Sequence, residues 1–201
     1  MASIYDIKPA FQALLRPLTR GLARAGVTAN QVTVIAALLS AAVGACLWHR
    51  PLERWPLLLL PGFLFVRMAL NAIDGMLARE HGMKSRLGAV LNEVGDVAAD
   101  TALYLPLALV PGFAPPLVVV ITILAIISEM TGVVAVQIGA ARRYDGPMGK
   151  SDRAFVFGLL ALLLGLGVPA GPWLYWAQVV VGGLLVVTIV RRARRALEET
   201  P

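Results

Sequence analysis

Cysteine occurs once in the 201 residues, at Cys46, and histidine only twice, at His49 and His81. One thiol excludes an intramolecular disulfide framework, and two separated imidazoles with that thiol exclude a Cys/His zinc site. Cys46 lies inside an apolar run and reads as a small buried hydrophobe. Charge is scarce as well. Only 15% of residues are charged while 58% are hydrophobic, and the mean hydropathy of +0.76 excludes an ordinary water-soluble domain. The net charge of +6 does not point to nucleic acid, because the basic residues fall in short clusters between apolar stretches and not along one face. The first thirty residues scatter Lys8, Arg16, Arg20 and Arg24 among apolar positions and lack the apolar core and cleavage site of a signal peptide.

What the chain has is long apolar runs. A membrane-crossing helix needs about 20 mainly apolar residues to bridge roughly 30 Å of hydrocarbon. Six stretches qualify as candidate spans: Val32 to Trp48, Leu57 to Leu77, Leu87 to Val110, Leu117 to Gly139, Ala154 to Val168 and Trp173 to Val190. Before them, Ile7, Phe11, Leu14, Leu15, Leu18 and Leu22 recur at three- and four-residue intervals with Arg16, Arg20 and Arg24 on another side. That pattern reads as an amphipathic helix lying in the interface, or else as a cap packed on the bundle. The expected fold is an all-α integral membrane protein of six transmembrane helices plus this interfacial helix. It forms one domain over residues 1–201, with the interfacial helix in 1–28 and the bundle in 30–192. Lysine and arginine concentrate at the amino terminus, in the connections Arg79 to Arg86 and Arg142 to Arg153, and in the tail Arg191 to Arg195. Positive charge is retained on the cytoplasmic side, so both termini are expected there.

Charged groups within a span cost several kcal/mol and mark a site by default. Here they gather in two spans. Arg67, Asn71, Asp74 and Ala78 are spaced by four, three and four, and Gly88, Asn92, Asp96 and Asp100 by four throughout. Each set therefore shares a stripe of its helix. Two polar stripes on consecutive antiparallel helices can face one cavity, and their carboxylate and amide oxygens suit a hard cation such as Mg2+ or Mn2+ carrying phosphate ligands. Gly75 and Gly88 allow a ligand close to the backbone, with Arg79 and Ser85 available to phosphate oxygens. Arg67 has Glu129, the one acid of the fourth span, as its expected partner; alternatively it brings positive charge to the cavity itself.

The stretch Asn71-Ala-Ile-Asp74-Gly75-Met-Leu-Ala78-Arg79, eight residues, Gly88, three residues, Asn92, three residues, Asp96 closely resembles the signature of the CDP-alcohol phosphotransferases. Six of that signature's eight fixed positions match; Asn71 and Asn92 stand where the family has aspartates. The entry Gly26-Val-Thr28-Ala-Asn30-Gln31-Val-Thr33, Asp100 beyond the motif and the six-span layout extend the resemblance over almost the whole chain.

The resemblance implies an enzyme of phospholipid biosynthesis. It would transfer a substituted phosphate group, phosphatidyl in the first instance, from a CDP-linked lipid donor to a small alcohol with release of CMP. Asn71, Asp74, Asn92 and Asp96, with Asp100 in reserve, would hold one or two Mg2+ or Mn2+ ions, and Asp96 would act as general base. Thr28, Asn30, Gln31, Gly75, Ala78, Arg79, Ser85 and Gly88 would line the nucleotide pocket, and Lys150 and Arg153 would meet the acceptor. A homodimer in a bacterial inner membrane, surrounded by lipid and with no nucleic-acid partner, completes the expectation. Fewer carboxylates should weaken the hold on a dication. A member that binds CDP-lipid with impaired turnover is the first alternative, and a small-solute transporter the second.

Overall fold

The computed structural model describes residues 4–199, with side chains from residue 9 onward, and among these residues it is helical without strands. Seven α-helices follow in order: α1 (Ile4–Arg24), α2 (Ala29–His49), α3 (Trp55–Glu80), α4 (Arg86–Tyr104), α5 (Pro115–Gln137), α6 (Lys150–Gly165) and α7 (Pro172–Glu199). A 3-10 turn, Leu105–Leu109, follows α4. The chain forms two compact units, one of Met1–Ser40 with Phe65–Ala99 and one of Ala41–Leu64 with Asp100–Pro201.

Four helices, α2, α3, α5 and α7, are long and apolar enough to cross a membrane. Their outward side chains are apolar too: Leu38 is 65% exposed and Met130 63%. Such surfaces require hydrocarbon around them. Of the six expected spans, the third and fifth differ. The third is interrupted because Pro106 has no backbone N–H to offer the Ala102 carbonyl, and the helix tightens into the 3-10 turn after Tyr104. The fifth is α6, 16 residues long, which reaches about 24 Å. The expected bundle end at residue 192 also falls short, since α7 continues to Glu199.

In the first unit, α1 ends at Arg24 with Gly26 at φ +79°. Val27 N–H bonds Leu22 O and Gly26 N–H bonds Ala23 O, a closure that needs a residue without Cβ in the left-handed region. Leu15, Leu22 and Ala23 of α1 pack on Ala29, Val32, Ile73 and Leu77, while Leu14 and Leu18 stay exposed. Thus α1 has one apolar side against the protein and another turned outward. Thr28 caps α2, its Oγ accepting from Gln31 N–H while Gln31 Oε1 accepts from Thr28 N–H. The two bonds form a reciprocal capping box.

The second unit holds the larger core, with Leu60, Leu103, Leu107, Ile121, Ala161, Leu174 and Leu185 among its members and Tyr104 stacked on Phe157 at 4.5 Å. Packing here is close enough to involve the backbone. A Cβ on Gly44 would lie 2.0 Å from Ala102 O, the carbonyl that Pro106 leaves without its helical donor.

Candidate functional site

The two stripes meet in the first unit. Arg67 on α3 is buried, and its Nη2 donates to the Asp96 backbone carbonyl at 3.2 Å and lies 3.6 Å from Asp96 Oδ1. This contact ties α3 to α4. Four residues nearer the connecting segment on each helix, about 6 Å along the axis, stand Asn71 and Asn92, both partly exposed. Asp74, one turn further along the α3 stripe, is buried, and its Oδ2 accepts from Thr33 Oγ at 2.9 Å. Thr33 also faces α4, because a Cβ on Gly95 would stand 3.8 Å from its methyl group. Thr33 therefore touches both arms of the motif.

At the connecting end, Ser85 is the N-cap of α4, its Oγ accepting from Gly88 N–H at 2.9 Å. Asn30 Nδ2 donates to the same oxygen at 3.4 Å. A Cβ on Gly88 would fall 2.6 Å from Asn30 Oδ1 and 3.0 Å from Ser85 Oγ, so a side chain there would displace Asn30. Arg79 folds back over Gly75, its guanidinium 3.0 Å from where a Cβ would be. Ala78 packs on the unit's apolar cluster, while Thr28 and Gln31 are exposed at the start of α2. An exposed guanidinium, two amides, a hydroxyl and a helix N-terminus thus lie beside two carboxylates. Such a set can bind a nucleoside diphosphate.

Asp100, Lys150 and Arg153 belong to the second unit. Asp100 Oδ2 accepts from Arg153 Nη2 at 2.7 Å and from Nε at 3.2 Å, with both side chains buried. Lys150 is partly exposed at the first turn of α6. The expected pairing of Arg67 with Glu129 does not occur. Glu129 is held by Arg153 at 3.0 Å, Arg142 at 3.1 Å and Arg192 at 3.4 Å. Arg192 counted in the sequence as orientation charge, yet it is 2% exposed. Its spacing carried the signal: Leu174, Gln178, Val181, Leu185, Thr188 and Arg192 recur every three or four residues along the buried side of α7. Thr33 was read only as part of the entry segment, and its role beside Asp74 had no separate signal.

Helices that expose apolar side chains around a polar seam of carboxylates, amides and an exposed arginine define a membrane enzyme acting on a phosphate-bearing substrate. The chain belongs to the CDP-alcohol phosphatidyltransferase family, whose model matches residues 26–190. It is a transferase of substituted phosphate groups acting in phospholipid synthesis. Over 201 residues it is 45% identical to the inner membrane protein YnbA of Escherichia coli, covering 97% of this chain and 96% of that protein. It is 31% identical to the phosphatidylinositol phosphate synthase of Mycobacterium marinum, covering 91% of this chain and 77% of that one. The fold is similar to that of Mycobacterium tuberculosis phosphatidylinositol phosphate synthase with CDP-DAG bound, at a TM-score of 0.75 and 22% identity over 90% of this chain and 92% of that one. A second structure of the same enzyme, in complex with manganese and citrate, matches with a TM-score of 0.75 over 90% of this chain and 88% of that one.

Proposed function

We propose that the protein transfers a phosphatidyl group from a CDP-diacylglycerol donor to the hydroxyl of a small alcohol. The acceptor oxygen forms a bond to the donor's lipid-side phosphorus, the bond from that phosphorus to the CMP oxygen breaks, and CMP leaves. Asp96 takes the hydroxyl proton. Arg79, Asn30 and Ser85 would hold the nucleotide end, with Thr28, Gln31, Gly75, Ala78 and Gly88 completing that pocket. The observation that carries this reading is the gathering of the motif's acids, its glycines and the α2 entry within one unit. Lys150 and Arg153 are proposed as acceptor contacts; Lys150 is partly exposed, whereas Arg153 lies buried among carboxylates.

The donor set fits one hard cation. Asp74 and Asp96 would hold Mg2+ or Mn2+ with help from the Asn71 and Asn92 oxygens, and among the described residues no three His, Cys, Asp or Glu side chains cluster to hold more. When bound, the cation offsets charge on the donor's diphosphate. Six spans with both termini cytoplasmic, in an inner membrane and as a homodimer, complete the proposal. The basic connections on one side of the bilayer support the orientation.

Purified protein in detergent micelles with CDP-diacylglycerol, Mg2+ or Mn2+ and glycerol phosphate, inositol phosphate or serine should release CMP with one of these acceptors. Asp96→Asn should lower release by at least about a hundredfold, the lower range for loss of a general base. Bound donor without CMP from any acceptor would mean that the protein is a binder that does not turn over.

A further inference from the structure

Arg67 is an anomaly for a site built to hold dications. Its guanidinium lies against Asp96 on the seam, and Asn71 and Asn92 each stand four residues along the helix from one member of that pair. We propose that the Arg67 guanidinium is a resident cation standing in the place of one of two metal ions, so that the centre binds a single divalent ion. The inference rests on the transferase reading for the identity of the site, but its own test does not depend on turnover.

The argument is one of charge and register. In the family pattern four carboxylates face two dications, and the charges cancel. Here Asp74 and Asp96 supply two negative charges and Arg67 one positive charge. A pair of dications would leave the seam three charges positive; one dication leaves it one charge positive, which the donor's diphosphate offsets. Excess charge next to hydrocarbon is expensive and a guanidinium cannot discharge itself by losing a proton. The positions that changed are those the guanidinium would affect. Arg67 lies against Asp96, with Asn71 one turn along from Arg67 and Asn92 one turn along from Asp96, so the amides replace carboxylates on the two helices that a permanent cation already joins. Asp74, two turns from Arg67 along α3, accepts a hydrogen bond from Thr33 and is the second carboxylate offered to the ion. An arginine also brings a planar fork that can meet a phosphate oxygen directly. In this arrangement the guanidinium neutralises charge without needing to be recruited.

Mn2+ binding to the detergent-solubilised full chain, followed by the loss of the free-ion electron paramagnetic resonance signal, tests this with and without CDP-diacylglycerol in the micelle. The wild type should bind one ion per chain. Asn71→Asp/Asn92→Asp should still bind one ion tightly, with a second at least about tenfold weaker. Adding Arg67→Met to that pair should bring the second ion to within a few-fold of the first, and adding Arg67→Lys instead should not. Circular dichroism identifies any variant that fails to fold, and the Asn71→Asp/Asn92→Asp protein decides the matter even if the Arg67→Met form is lost. Two equivalent ions on the wild type, two of equal affinity on the double variant with Arg67 in place, or none on the wild type would each overturn the proposal. CMP release assayed in parallel separates the two ideas: one bound ion without turnover removes the transferase reading and leaves this one standing.

Discussion

Replacing Glu129 by glutamine removes one charge from the centre of a buried cluster while preserving its volume. Arg153, Arg192, Glu129 and Asp100 are 1%, 2%, 8% and 5% exposed, and Arg142 joins them from the segment after α5. Three guanidinium groups face two carboxylates, so the cluster carries one net positive charge, and the substitution doubles it. Each guanidinium lies 3.0 to 3.4 Å from a Glu129 oxygen. Each of these contacts is attractive in a medium less polar than water. Losing three is partly offset, because the carboxylate's own desolvation cost of several kcal/mol disappears with it. The net loss should match that of a broken buried pair, about 3 to 5 kcal/mol. For a chain of this length that corresponds to a fall of about 6 to 20 °C in the unfolding midpoint, by the scaling for soluble domains. Loss of helical circular dichroism on heating in detergent measures it. Arg142→Gln placed on the Glu129→Gln background should recover part of the loss, since it returns the cluster to one net positive charge. A midpoint within about 2 °C of wild type for Glu129→Gln, or a double variant less stable than the single, would refute the electrostatic account.

Gly44→Ala should lower the same midpoint by an amount equivalent to at least about 1 to 3 kcal/mol, because its Cβ would meet the Ala102 carbonyl at 2.0 Å with backbone on both sides; Gly183→Ala, with nothing within 4 Å, serves as the control and should not. Between α2 and α3, a hydrogen bond from Arg50, and after it one from the Trp55 indole, holds the Glu53 carboxyl below its ordinary range. A lowered folded value means that the stabilisation is complete above about pH 4.5, where the unfolded group is ionised, and fades as pH falls through the folded value. The midpoint difference between wild type and Glu53→Gln should therefore be present at pH 7 and small at pH 3.5; a difference that widens on acidification would contradict the pairing.

Much of the fold could be read along the chain because helical periodicity and apolar length are local properties. The amphipathic pattern of α1, the apolar runs of α2, α3, α5 and α7, and the stripes that place Arg67 with Asn71 and Asp74, and Asn92 with Asp96, all follow from a repeat of 3.6 residues. Local rules also reach further than the stripes. The break at Pro106, the capping box of Thr28 and Gln31 and the Ser85 N-cap are equally local, yet the expected third span runs unbroken through Pro106 and these polar residues are expected only as pocket lining.

Partner choice between helices is a different kind of information. It depends on rotation and register, which a one-dimensional pattern leaves open. Arg67 could have served either Glu129 or the motif cavity by sequence, and packing in the first unit gave it to Asp96. Glu129 went to three arginines of its own unit, one of them, Arg192, set apart in sequence from its solvated neighbours in the Arg191 to Arg195 tail only by the three- and four-residue repeat along α7. The sequence alone determined on which stripe of which helix the motif's carboxylates, amides and arginines lie. Tertiary structure decided which charges neutralise which, because a buried charge is held by whatever lies within about 4 Å of it in space, however far away along the chain.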